Sequence, residues 1–506
     1  MKKYISMPMN RVEGDLEVDV VIAEGQVVEA RARGTQFRGL ERILVGREAM
    51  DALVLTPRVC GICSLSHLTA AVRLLDDMSG ATVPDAALRL RNAALMAEHL
   101  QSDIRHVFLM FCADLPNAGH RRSPLFDEAC YRYQPFQGRS LINVIRESKR
   151  IVELIAIIGG QWPHTHFMVP GGVTSTPGNA ALRQCRALVQ QFRSWYERAI
   201  LGCTIERWNE ITTYDQLQDW ITENDSQHGS ELGFLLRFLE DCQIGSLGRS
   251  PGNFLSFGSF PLPTVEGVKG GYLTPAGFAR GLEIEVLHPD LISEEIASSW
   301  LDGYKGGRHP MQGETRPAAP TADEQRYTWA KAPRYQGLAA ETGPLAEMVM
   351  ARHPLFVDLI SRFGSCVLTR ELARLARPAM LLPELDRYLT EAVSGLYYQQ
   401  QPVEVIAEGQ AAGLIQAARG ALGHWAQVSG GQIEHYQMIT PTGWNASPRD
   451  SQGQPGALEQ ALVGTPVADV DNPVEVGHVV RSFDPCLVCA VHAVSKKGTG
   501  RLRFLP

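Results

Sequence analysis

Two stretches of the chain place a histidine just after a Cys-x-x-Cys pair. Cys60 and Cys63 lie in TPRVCGICSLSH, with His67 four residues on, and Cys486 and Cys489 lie in SFDPCLVCAVH, with His492 three residues on. Thiolates are soft ligands that suggest zinc or iron–sulfur first, and Cys-x-x-Cys also serves as a redox dithiol. Both pairs read as lying where a helix begins. Asp484-Pro485 pairs a favoured N-cap residue with a favoured first helical residue. A helix N-terminus, with Arg58 near the first pair, favours thiolate over thiol. Spacing alone leaves three readings open: a structural zinc site, a functional metal centre and a redox dithiol. Against the zinc staple, the pairs stand roughly four hundred residues apart, whereas structural zinc ligands gather locally. A chain of 506 residues also needs no staple to build its core.

The elements that must position these residues belong to an ordinary globular chain. Hydrophobic residues make up 44% and charged residues 20%, and the net charge of −7 points away from nucleic acid as a partner. No apolar run reaches transmembrane length and the N-terminus lacks a signal-peptide core, so we expect no transmembrane segment of its own. The expected location is cytoplasmic, or membrane-associated or exported only through a partner. Besides the two pairs, Cys112, Cys130, Cys185, Cys203, Cys242 and Cys366 occur singly and read as small buried hydrophobes, not as a disulfide scaffold.

The patterning predicts an α+β fold: a mainly helical core of long bundle helices, an N-terminal β hairpin or meander, and a Gly/Pro-rich mixed β region in the middle. In region 1–45, DLEVDVVIAEGQVVEARARG alternates with period two and breaks at Glu24-Gly25. Region 46–242 reads as helical. Leu65, Leu68, Val72 and Leu75 form one stripe ending at Gly80, buried helices fill 84–118 up to Pro116, and LINVIRESKRIVELIAIIGG and NAALRQCRALVQQFRSWYERAI add more. Region 243–343 is mixed β and irregular. Region 344–492 reads as helical again, over 343–400 and near 408–429, and carries the second metal motif. We treat the whole as one interwoven domain, 1–506.

RVCGICSLSH and DPCLVCAVH, near opposite ends, resemble the paired nickel-site signatures of the large, catalytic subunit of nickel–iron hydrogenases. RVEG at 11–14, FRGLE at 37–41, WAKAPRYQG at 329–337, ARGALGHW at 418–425 and PTGWN at 441–445 extend the resemblance over nearly the whole chain. It implies Cys60 and Cys486 as terminal nickel ligands, and Cys63 and Cys489 bridging nickel to an iron that carries CN and CO. It implies Glu41 and His492 as ligands of a magnesium or iron near the C-terminus. Glu13 would relay protons, and Arg419 would stand over the bimetallic centre, oriented by Asp114 and Asp484. His67 would hydrogen-bond a bridging sulfur. Thr442 and Ala418 would lie at the cofactor, Thr442 against a cyanide. His106 and His424 lie in matching stretches.

There are departures. Gln416 and Ala418 stand where the family has Glu and Pro, Gly443 where it has Thr, and Glu347 where Arg is frequent.

The implied reaction is heterolytic oxidation of hydrogen. The chain has no iron–sulfur motif of its own, so an iron–sulfur small subunit is expected as obligate partner, along with a maturation protease and nickel-insertion proteins. The leading expectation is an uptake enzyme. A low-turnover hydrogen sensor, a reversible enzyme with a soluble acceptor and a structural zinc protein are the alternatives. Ala493–Pro506, basic and with glycines at 498 and 500, is expected to be a removable extension.

Overall fold

The computed structural model describes residues 2–263, 270–320, 325–392, 395–398, 403 and 405–487. Strands β1 (Lys3–Met9), β2 (Leu16–Ala23) and β3 (Gln26–Gly34) form the expected antiparallel meander. Ala23 pairs with Gln26, so Glu24 and Gly25 form a two-residue turn, both at positive φ, which matches the strand twist. Leu16, Val18 and Val20 face the core, as the alternation requires. Asp19, on the other parity, is covered as well and lies 3.7 Å from Arg33.

Helix α1 (Ser64–Ser79) starts directly after the first cysteine pair and stops at Gly80, which adopts φ +64°. Its predicted apolar stripe is buried, but so are Ser66, His67 and Thr69, so it is covered all round. Helix α2 (Asp85–Arg105) runs on through a π turn (His106–Phe111) and a 3-10 turn (Cys112–Asp114), stopping before Pro116. The next predicted helix divides at Val152 into Arg139–Ile151 and Glu153–Gly159, closed by Gly160 in the left-handed region. Helix α3 (Asn179–Trp195) follows. The middle region holds an antiparallel sheet of β4 (Asn253–Pro261), β5 (Tyr272–Arg280) and β6 (Glu283–Glu285). Then come α4 (Pro344–Met350) and the long α5 (Val367–Glu391), which packs along α2.

One expectation fails here. The run near 408–429 is not helical, so the described part of region 344–492 is mixed. It forms β7 (Gly409–Ala417) and β8 (Gly420–Ser429), which continue into β9 (Gln432–Ile439) as an antiparallel sheet. β8 is buried on both faces, so it shows none of the period-two alternation that betrays a strand. Gly413 has a physical reason: a Cβ there would sit 1.9 Å from the Ala70 carbonyl oxygen of α1, which crosses the strand at that point. Helix α6 (Val474–Ser482) leads to the second cysteine motif. One hydrophobic cluster takes in the meander, the helices and the C-terminal sheet, from Leu16 to Leu487.

The two ends of the chain are also tied by a buried carboxylate. Glu459, in the short helix Ala457–Leu462, accepts from Ala32 N at 3.0 Å and from Tyr327 Oη at 2.8 Å. Burial pushes its carboxyl up from 4.5 to about 7. An acid whose pKa is raised on folding favours the folded state most when protonated. Stability is therefore full below 4.5 and is lost as pH rises through about 7. Glu459→Gln keeps the acceptor and removes the charge. It is expected to gain about 3 kcal/mol over wild type at pH 8 and nothing at pH 4. Denaturation at the two pH values tests this, and an equal shift at both would contradict it.

Candidate metal centre

Three separate elements deliver the thiols. Cys60 ends the 3-10 turn Thr56–Val59, Cys63 sits at the N-cap of α1, and Cys486 follows α6. The Cys60 and Cys486 sulfurs are 3.7 Å apart, and all three thiols lie within 4.8 Å of one another, fully buried. Among the described residues no other group of three or more Cys, His, Asp or Glu gathers in this way. Cys489, His492 and residues 493–506 lie outside the described residues.

Backbone bonds hold Cys486 in place. Glu13 N donates to Pro485 O at 3.3 Å, Leu487 N donates to Glu13 O at 2.6 Å, and Cys486 N donates to Thr442 Oγ1 at 2.8 Å. RVEG and PTGWN thus meet the second cysteine motif through its main chain. On the other side, Glu98 of α2 caps α1, accepting from Leu65 N (2.9 Å), Ser66 N (3.0 Å) and Ser66 Oγ (2.6 Å). Burial pushes the Glu98 carboxyl up to about 7. Sequence reasoning missed Glu98; the available signal was an acid inside a run that reads as buried all round.

Arg419 comes from the sheet that the sequence hid. Ala417 pairs with Gly420, so Ala418 and Arg419 form the two-residue tip of the β7–β8 hairpin. Arg419 Nε lies 3.0 Å from Asp484 Oδ1, and His106 Nδ1 approaches the same oxygen at 3.0 Å. His106 Nε2 faces Glu371 Oε1 at 3.2 Å. Burial would raise the Asp484 carboxyl, but Arg419 and His106 hold it far below the usual carboxylate range. Burial likewise disfavours the Arg419 charge, and Asp484 with the cysteine thiolates outweighs it, keeping the guanidinium protonated. Glu13 moves the other way: burial raises its carboxyl, partly offset by Arg419.

A small closed cavity lies between these groups, lined by Cys63, Cys486, His67, Thr442, Arg419 and the apolar Ala417, Leu422 and Pro441. Arg419 Nη1 is buried beside it with no hydrogen-bond partner. His67 Nδ1 stands 3.1 Å from His424 Nε2, and His424 Nδ1 is 2.8 Å from Tyr436 Oη. The Ala418 carbonyl accepts from Arg377 Nη2 at 2.7 Å. Glu41 is buried away from the thiols. It accepts from Met438 N at 2.8 Å and from Thr315 Oγ1, with Lys331 Nζ at 3.7 Å.

Two expectations need correction. Asp114 does not flank Arg419; the turn that ends α2 aims it at Arg11 and Arg481, and it bridges the two guanidiniums. Asp484 is not an extended N-cap. It has φ +51° and lies just beyond α6, with its N–H donating to Arg481 O at 2.8 Å, because its side chain turns inward to Arg419 and His106.

Convergent buried thiols, a closed cavity beside them and a protonated arginine with a free buried N–H are a donor set that could hold a soft metal with space for a further ligand. The family model for nickel-dependent hydrogenase matches residues 38–115 and 140–492. The chain belongs to this family, as a nickel–iron hydrogenase large subunit, an oxidoreductase acting on hydrogen. It is 31% identical to the periplasmic [NiFeSe] hydrogenase large subunit of Desulfomicrobium baculatum, over 96% of this chain and 94% of that one. It is 27% identical to the uptake hydrogenase large subunit of Rhizobium leguminosarum bv. viciae, over 98% and 96%. The reduced Ni-Fe-Se hydrogenase of D. vulgaris Hildenborough superposes with a TM-score of 0.82 at 29% identity, covering 97% of this chain and 100% of that one.

Proposed function

We propose that this chain is the catalytic subunit of an uptake nickel–iron hydrogenase, which splits hydrogen heterolytically and passes the electrons to an iron–sulfur small subunit. The observation that carries the reading is the convergence of the Cys60, Cys63 and Cys486 thiols, two of which, Cys63 and Cys486, line a closed cavity with Arg419. Cys60 and Cys486 would hold nickel, and Cys63 with Cys489 would bridge to an iron bearing CN and CO. The nickel and iron they hold would supply Lewis acidity and electron capacity for cleaving hydrogen. The chain's own residues do the rest. Arg419 contributes a fixed positive charge that Asp484 keeps in place. The Cys486 sulfur takes the proton. Glu13, clamped to the main chain on both sides of Cys486 and raised by burial, accepts that proton and releases it outward. Thr442, which lines the cavity, and Ala418, at the hairpin tip beside Arg419, would lie against the diatomic ligands. Glu41, with the oxygens of Thr315 and Gln437 close by, would hold magnesium or iron together with His492.

Electrons need a partner that carries clusters, since the remaining cysteines gather no second site among the described residues. Loading the centre calls for nickel-insertion proteins and a maturation protease. No helix among the described residues is long and apolar enough to cross a membrane. The test is to purify the chain with its small subunit, measure nickel, iron and zinc, and assay hydrogen-dependent dye reduction. Nickel and iron with turnover are expected. Zinc without nickel would overturn the metal reading, and both metals with negligible turnover would make the protein a hydrogen sensor.

A further inference from the structure

The tip that carries Arg419 is gripped from behind by a buried charge cluster that no part of the proposed chemistry uses. Arg377 of α5 is fully buried. Its guanidinium donates through Nε and Nη2 to both Asp103 oxygens, at 2.8 and 2.6 Å, and through Nη1 to Glu347 Oε1 at 2.5 Å. The same Nη2 donates to the Ala418 carbonyl at 2.7 Å. Asp103 comes from α2 and Glu347 from α4, and Glu347 Oε2 is itself held by Ser259 Oγ at 3.0 Å. Three helices therefore converge on one carbonyl in the two-residue tip. The far side of the tip is held too. Ala421 N donates to Thr342 Oγ1 at 2.7 Å, and a Cβ on Gly343 would come within 3.2 Å of Arg419 O. A two-residue loop fixed on both flanks leaves the Arg419 side chain few directions to take.

We propose that Arg377, oriented by Asp103 and Glu347, is a positioning residue that aims Arg419 at the cysteine cavity through the Ala418 carbonyl. Arg377 makes its hydrogen bonds to Asp103, Glu347 and the Ala418 carbonyl and to none of the described cysteines, so its effect is carried by the hairpin. Only the catalytic readout of this proposal rests on the hydrogenase reading above. Removing Arg377 alone would strand two buried carboxylates and endanger folding. The informative variant is therefore neutral and of similar volume: Arg377→Met with Asp103→Asn and Glu347→Gln. In the complex with its small subunit it is expected to keep nickel and iron. Turnover should fall about a hundredfold, the scale of a small misplacement at a reacting centre, with KM for hydrogen unchanged. Arg377→Lys should recover part of the loss. In an Arg419→Lys background the triple change should cost much less, because both act on one side chain.

A second measurement does not depend on metal. Amide hydrogen exchange at the 409–429 hairpin is expected to be faster at the tip of the triple variant than in wild type, in loaded and metal-free protein alike. Wild-type turnover, or a loss in step with lost metal, would overturn the proposal. Unchanged exchange at the tip would do so even if the protein proved to contain no nickel.

Discussion

Cys486→Ser is expected to yield a folded protein without nickel and without hydrogen-dependent dye reduction. Serine is close to cysteine in volume, and the bonds that fix position 486 are made by the main chain: Cys486 N to Thr442 Oγ1, and the Glu13 ladder to Pro485 and Leu487. The substitution therefore leaves the fold in place and changes only the donor atom. A neutral hydroxyl does not ionise near neutrality and is a hard ligand, whereas nickel in such a site is held by soft thiolates. Cys486 also lies 3.7 Å from Cys60, so losing it would open one side of the proposed ligand set. Disturbing even an outer partner of a metal ligand costs about 10–100-fold in affinity, and losing a ligand costs more. Cys112→Ser is the control. Cys112 is as deeply buried, burial raises its thiol well above the usual range, and it belongs to no cluster, so metals and turnover should survive. Metal analysis and dye reduction on the two variants decide the matter; a Cys486→Ser protein that retained nickel would remove this thiol from the ligand set.

What the sequence displayed and what it hid follow from burial. The N-terminal meander was legible because its strands alternate and its turn carries Glu24-Gly25. α1 and α2 were legible because they are long and lack breakers. β8 was not, because a strand covered on both faces lacks the period-two alternation that marks a strand. The cysteine motifs announced metal, and the comparison with known families said which. Spacing could not show which buried charges meet. Asp114 and Asp484 read alike as carboxylates for one arginine, yet Asp114 went to Arg11 and Arg481.

The departures from the family also read differently in three dimensions. Glu347 is neutralised by Arg377 behind the hairpin and does not line the cysteine cavity. Gln416 turns its oxygen to Phe257 N at 3.2 Å. Neither places a new charge against the thiols.

Arg419→Lys is expected to lower turnover by about 10²–10³-fold, the scale for removing one preorganised donor from a reacting centre, while nickel and iron remain. The one ion pair of its side chain, to Asp484, is with a cation that lysine also supplies. The hairpin tip is held by Ala418 O and Ala421 N, so the site should assemble without it. The guanidinium does two things at once: Nε rests 3.0 Å from Asp484 Oδ1, and Nη1 remains unpaired beside the cavity. Lysine keeps the charge but offers one compact ammonium in place of a planar fork. With Asp484 and the thiolates both pulling on it, the ammonium settles against one and leaves the other unserved. Arg419→Met would do worse, because buried Asp484 would lose its nearest fixed positive charge and be left with His106 and the weaker pull of Arg374. Hydrogen is neutral and small and gains little from a cation until charge separates in the transition state. The loss should therefore fall on kcat, with KM nearly constant. Turnover measured against hydrogen concentration separates the two. A lysine variant with wild-type kcat would show that positive charge alone suffices, and a rise confined to KM would move Arg419 from the reacting step to hydrogen access.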